Sequence, residues 1–257
     1  MMTLLVMSLA AALFLGMLLF HEVGRHFGKV AFKRDPDGSA KGISTVEGAV
    51  FALLGLVVAF TFSGAGSRFE ARRALITEEA NHIGTAYLRV DLLAASAQPA
   101  LRGHFRRYVQ LRASPPNFAN PGSAAMWNTQ TMALQQTIWT QALRASQQPD
   151  SAPQATMLLV PALNAMIDIT TTRYMATRNH PPAAVFILLG GLSLAASLLV
   201  GYAVAGNKTR SWLPPMAFAA VVSLSIYLIL ELEFPRIGLV QVGGADQVLV
   251  ELVKSMD

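Results

Sequence analysis

The stretch EGAVFALLGLVVAFTFSGAGSRFEARRALITEEANHIGTAYLRVDLL, residues 47–93, joins an apolar half to a charged half with no proline between them. Residues 48–67 carry no charge, and twenty residues at about 1.5 Å each give roughly 30 Å, the thickness of a bilayer's hydrocarbon core. The stretch therefore predicts one helix, half membrane span and half stalk, with the stalk over residues 68–93. In the stalk, Phe69, Ile76, Ala80, Ile83, Tyr87 and Val90 recur at helical spacing and predict one packed face, with most of the charges on the other.

The membrane half carries two stripes. Gly48, Ala52, Gly55, Ala59 and Ser63 form a small-residue stripe that lets another helix approach closely in lipid. Phe51, Leu54, Val58 and Phe62 form a bulky one, open to three readings: lipid, the protomer's own core, or the axis of an oligomer.

The rest of the chain agrees with a membrane class. Hydrophobic residues are 53% and charged residues 14%, with mean hydropathy +0.43, against about 25% charged in a soluble domain. Four spans are predicted, over residues 3–20, 48–67, 183–206 and 211–230, so the fold class is all-α, multi-pass, with a helical extramembrane domain between the second and third spans. The organisation expected is a first transmembrane pair within 1–67, the helical domain over 68–182, a second pair over 183–230 and a tail over 231–257. In the helical domain, helices are predicted from Pro99 to about Arg112, from about Ala124 to Ala145, and up to about Arg178, with Ser114-Pro115-Pro116-Asn117 and Asn120-Pro121-Gly122 read as breaks before the second and a proline-bearing linker before the third. The tail is read as an extended segment followed by a short amphipathic helix bearing Val248, Leu249, Leu252, Val253 and Met256, docked on the helical domain. Ser193, Ser197, Gly201 and Ala205 mark a second close-packing stripe on the third span.

Chemistry-bearing motifs are few. There is no cysteine, hence no thiolate metal site. Glu79 and His82 make one Glu-x-x-His, but a di-iron bundle needs a second copy. His21 and Glu22 lack the second histidine four residues after the first that a zinc helix requires, and are read as the interfacial end of the first helix. No nucleophile elbow, P-loop or dinucleotide fingerprint is visible, so neither catalysis, a metal nor a cofactor is expected. The net charge of +5 is dispersed along membrane flanks, which argues against nucleic acid as a partner and for the lipid bilayer. Orientation stays open. The short loops carry Arg25, Lys29, Lys33, Arg34, Lys41, Lys208 and Arg210, and the opposite flanks carry Arg68, Arg72, Arg73, Arg173, Arg178 and Arg236.

Residues 68–180 hold eleven arginines and no lysine. Arginine stays charged when partly buried and presents a fork to anions, so one reading is an anion-attracting vestibule, with Arg68 and Arg72 as the candidates; an equal alternative is a G+C-rich genome that favours arginine codons. At the span ends, Glu47, Glu231, Glu233 and Arg236 are candidate ion-pair residues, and Glu231 or Glu233 is expected to bond to Arg68 or Arg72.

The runs Glu47-Gly48-Ala49, Leu53-Leu54-Gly55, Phe60-Thr61-Phe62-Ser63-Gly64, Ser67-Arg68-Phe69, Glu78-Glu79-Ala80-Asn81 and Ile83-Gly84-Thr85-Ala86-Tyr87-Leu88-Arg89-Val90-Asp91, with the tail Leu230-Glu231-Leu232-Glu233-Phe234-Pro235-Arg236-Ile237-Gly238-Leu239, resemble the bacterial bestrophin-like-domain membrane proteins. The resemblance implies four spans in the inner membrane of a bacterium, a cytoplasmic helical domain, and a homo-oligomer, with a pentamer as the candidate stoichiometry, around an axial pore. It also implies a hydrophobic neck on the second span, for which Phe51, Leu54, Val58 and Phe62 are the candidates. The functional expectation is an ion channel that favours small inorganic anions. The alternative is a non-conducting scaffold or sensor whose helical domain binds a partner.

Overall fold

The structure, a computed structural model, describes residues 2–34, 43–116, 120–207, 209–234 and 243–256. Those residues form eight α-helices and no strand, and four of the helical segments are long and apolar enough to cross a membrane. The helices are α1 Met2–Arg34, α2 Ile43–Leu88, α3 Gln98–Ala113, α4 Pro121–Ser146, α5 Ala155–Arg178, α6 Ala183–Ala203, α7 Leu213–Glu233 and α8 Gly243–Ser255. Single 3-10 turns follow α2 and α6.

Two expectations are corrected. The first helix does not stop at residue 20 but continues without a break to Arg34. Nothing in residues 21–34 forbids it, because the first proline comes at Pro36, and Gly24 and Gly28 are absorbed by packing. The fourth helix begins at Pro121, not Ala124. Pro121 sits where its missing N–H is no loss, and the Asn120 side chain accepts a hydrogen bond from the Gly122 N–H at 3.0 Å. The stretch read as a breaker is a helix start.

The chain divides into two compact units. The first holds the residues up to Ser67 with those from His180 through α7. Here α1 packs along α6 and, less extensively, α7. The α1–α6 crossing is so close that a Cβ added at Gly24 would lie 1.9 Å from the Leu198 carbonyl oxygen, and one at Gly201 1.9 Å from the His21 carbonyl oxygen. Ser197, from the stripe singled out on the third span, donates to the Met17 carbonyl at 2.6 Å. Small residues on both helices thus bring the two backbones into contact, which in lipid supplies the packing that hydrophobicity cannot.

The second unit holds Arg68–Asn179 and α8. Its core takes up the predicted stalk stripe, with Ile76, Ala80, Ile83, Tyr87 and Val90 packed against Leu101, Phe105 and Tyr108 of α3, Ile138 of α4, and Leu159, Leu163 and Met166 of α5. Leu249 and Met256 of α8 are buried in the same core. The Met256 carbonyl accepts hydrogen bonds from Tyr87 Oη at 3.3 Å and from Arg106 at 2.5 Å.

Candidate functional site

The membrane half of α2 presents three arcs. Leu54 is 4% exposed and joins Met17, Leu189, Ala219, Val222 and Ile226 in the core of the first unit. Phe51 and Val58 are half-buried beside it, and the Phe51 ring meets Phe218 edge-on at 5.3 Å. Thr61 closes this face by returning its hydroxyl to the Val57 carbonyl at 2.7 Å, which keeps its own polar group paired against the core.

The second arc is the small-residue stripe. Gly48, Ala52, Gly55, Ala59 and Ser63 are all exposed, and a Cβ added at Gly48 or Gly55 would meet no atom within 4 Å. Leu53, Leu56 and Phe60 form the third arc, exposed and bulky, suited to lipid. Phe62, 46% exposed, stands at the edge of the small stripe. The bulky stripe read from the sequence is therefore divided. Phe51, Leu54 and Val58 serve the protomer's own core, one of the three readings left open, whereas Phe62 alone is free of it.

The charged candidates have specific partners. Arg72 is buried, and its Nε and Nη2 donate to the carbonyls of Ala176 and Asn179 at 3.1 and 3.0 Å. It thereby caps the C-terminal end of α5, whose last carbonyls have no helical partner. Arg68 is half-buried. Glu233 is buried, and its Oε2 lies 3.2 Å from Nδ1 of His180, whose ring stacks on Phe234 at 4.7 Å. Glu231 is buried on the same helix, Glu47 is half-buried near the start of α2, and Arg236 lies outside the described residues.

Sequence reasoning missed the centre of the second unit. Glu79 is fully buried, and Arg112 donates to its two oxygens at 2.5 and 3.1 Å. Arg173 adds a third bond to the same carboxylate and faces Asp246 of α8 at 3.9 Å. Arg112 also stacks over the Trp127 ring at 4.4 Å. Burial lowers the Arg112 pKa, opposed by Tyr108 and Asp246. The signal lay in the stalk stripe, since Glu79 adjoins Ile76, Ala80 and Ile83 on the packed face. Its carboxylate is engaged by two arginines, with His82 instead half-exposed beside Glu78 at 3.5 Å.

An all-α chain with four membrane-crossing helices and a second helical unit is a multi-pass membrane protein. More particularly, the chain belongs to the bestrophin-like domain family, whose sequence model matches residues 11–245. No curated protein and no solved structure matches it.

Proposed function

We propose that the protein is a homo-oligomeric ion channel of the bacterial cell membrane whose conduction path follows the open small-residue stripe of α2. The observation that carries this reading is a membrane helix with one whole face uncovered in the protomer, lined by Gly48, Ala52, Gly55, Ala59 and Ser63, with the exposed Phe62 at its edge. A ring of such helices, one per copy, encloses a path in which small residues leave width and Phe62 narrows it. An apolar constriction of that kind gates by dewetting. Arg68, half-buried where the membrane half of α2 passes into the stalk, supplies positive charge that raises the local concentration of anions and favours them as cargo.

The test is chloride flux into liposomes carrying the purified protein, with Phe62→Ser beside the wild type. Flux that rises in the variant while the oligomer is retained supports the path. No flux from either, in a well-folded oligomer, transfers the assignment to a non-conducting scaffold or sensor. That second reading draws on the exposed Met126, Met132, Met157 and Met175 of α4 and α5, since methionine surfaces adapt to varied partners.

A further inference from the structure

We propose that Arg25, together with His21 one turn before it, is a binding site for a phosphate group, carried either by an anionic phospholipid or by free inorganic phosphate. The inference does not depend on conduction. Arg25 is 8% exposed and its Nε is enclosed without a hydrogen bond. Among the described residues, no carboxylate pairs with its guanidinium. Arginine does not shed its proton in proteins, and a buried charge without a partner is strongly unfavourable. A counter-ion from outside the protomer resolves this.

Among the described residues, α1 leaves no free carboxylate to serve. Between residues 21 and 34 the single acid is Glu22, against Arg25, Lys29, Lys33 and Arg34. Glu22 is engaged by Arg210 at 2.9 Å, and Arg210 is itself stacked over Trp212 at 4.2 Å. His21, 2% exposed, has a buried Nδ1 with no partner and lies within electrostatic reach of Glu22 as well as of Arg25 and Arg210. At a spacing of four residues, His21 and Arg25 share a helix face.

The position suits a headgroup. The apolar run ends at Phe20, so Arg25 stands about 7 Å further along the helix, at the level of lipid phosphates. The Gly24 and Gly201 contacts hold the backbone of residues 21–25 against α6. The backbone that carries Arg25 is therefore fixed before any ligand arrives, and the planar fork of the guanidinium matches two phosphate oxygens.

The experiment uses the full chain in dodecyl maltoside. Native mass spectrometry counts retained phosphatidylglycerol against phosphatidylcholine, and thermal unfolding is followed over a titration of inorganic phosphate. Preferential retention of phosphatidylglycerol, weakened about tenfold in Arg25→Gln, the scale of one lost charge-assisted hydrogen bond, identifies the lipid source. A phosphate-dependent rise in Tm that disappears in Arg25→Gln identifies the free ion. Arg25→Lys, which keeps the charge but not the fork, replaces Arg25→Gln if the latter does not fold and must show the same loss in lesser degree. The proposal is overturned if the wild type shows neither response, if the response survives both Arg25 variants, or if it follows exposed Lys29 and Lys33 when those are changed to glutamine.

Discussion

Arg112 closes on Glu79 with both ends of its fork, at 2.5 and 3.1 Å, where neither side chain meets solvent appreciably. Arg173 completes a triad that joins α2, α3 and α5. Replacing Glu79 with alanine strands the buried Arg112 and takes from Arg173 its carboxylate on α2, leaving it Asp246, and the expected loss is about 3–5 kcal/mol. Chemical unfolding followed by the fluorescence of Trp127, which lies against Arg112, measures it. A loss under 1 kcal/mol would contradict the buried triad.

Glycines of the first unit divide into two kinds. A side chain at Gly201 collides with the His21 backbone, whereas one at Gly55 enters open space. Gly201→Val is expected to abolish folded protein in detergent. Gly55→Val is expected to leave the protomer's Tm within about 2 °C, the scatter of an ordinary surface change, and to alter oligomer size or flux. Size-exclusion chromatography and melting curves separate the two, and equal damage from both would show that the stripe is packed within the protomer.

Leu54 and Phe62 lie two turns apart with different surroundings. Leu54→Ala opens a cavity in the core of the first unit and is expected to lose about 2–5 kcal/mol. Phe62→Ser removes an exposed ring and is expected to change flux with little effect on stability. Melting and flux assays on both variants give the comparison. Parallel losses of stability would remove the distinction between a core face and an open face.

His104 gives a pH dependence with a definite sign. Burial first, and then the neighbouring Arg107 charge, lower its pKa, and Arg107 donates to its Nδ1 at 2.9 Å, which requires that nitrogen to be unprotonated. The folded state therefore takes up the proton less readily than the unfolded chain. Its contribution to stability is complete above the ordinary histidine value of about 6.5 and is lost as pH falls below it. His104→Gln should flatten the decline of Tm between pH 7 and pH 5; an unchanged slope would assign that decline to other groups.

Much of the membrane organisation was legible because hydropathy and length are properties of single segments. A run of apolar residues long enough to cross lipid declares itself without its neighbours, and a proline pair before an apolar run announces a helix start. The stalk stripe was readable for a similar reason, since Ile76, Ala80, Ile83, Tyr87 and Val90 repeat at a period that only one face of a helix satisfies. The end of α1 was not, because Gly24 and Gly28 look permissive in isolation and become close contacts only when α6 lies against them.

Pairings between distant residues belong to the tertiary structure. Glu79 stands 33 residues from Arg112 and 94 from Arg173, and no local pattern says which of eleven arginines will meet it. The two stripes of α2 show the same limit. Their spacing was visible in the sequence, but spacing cannot say which stripe its own protomer covers. That depended on where α6 and α7 place Leu189, Ala219 and Phe218, and they take up Leu54 and Phe51 while leaving Gly48 and Gly55 open. Periodicity is a one-dimensional property that assigns residues to faces; burial requires a partner surface, and only the assembled helices supply it.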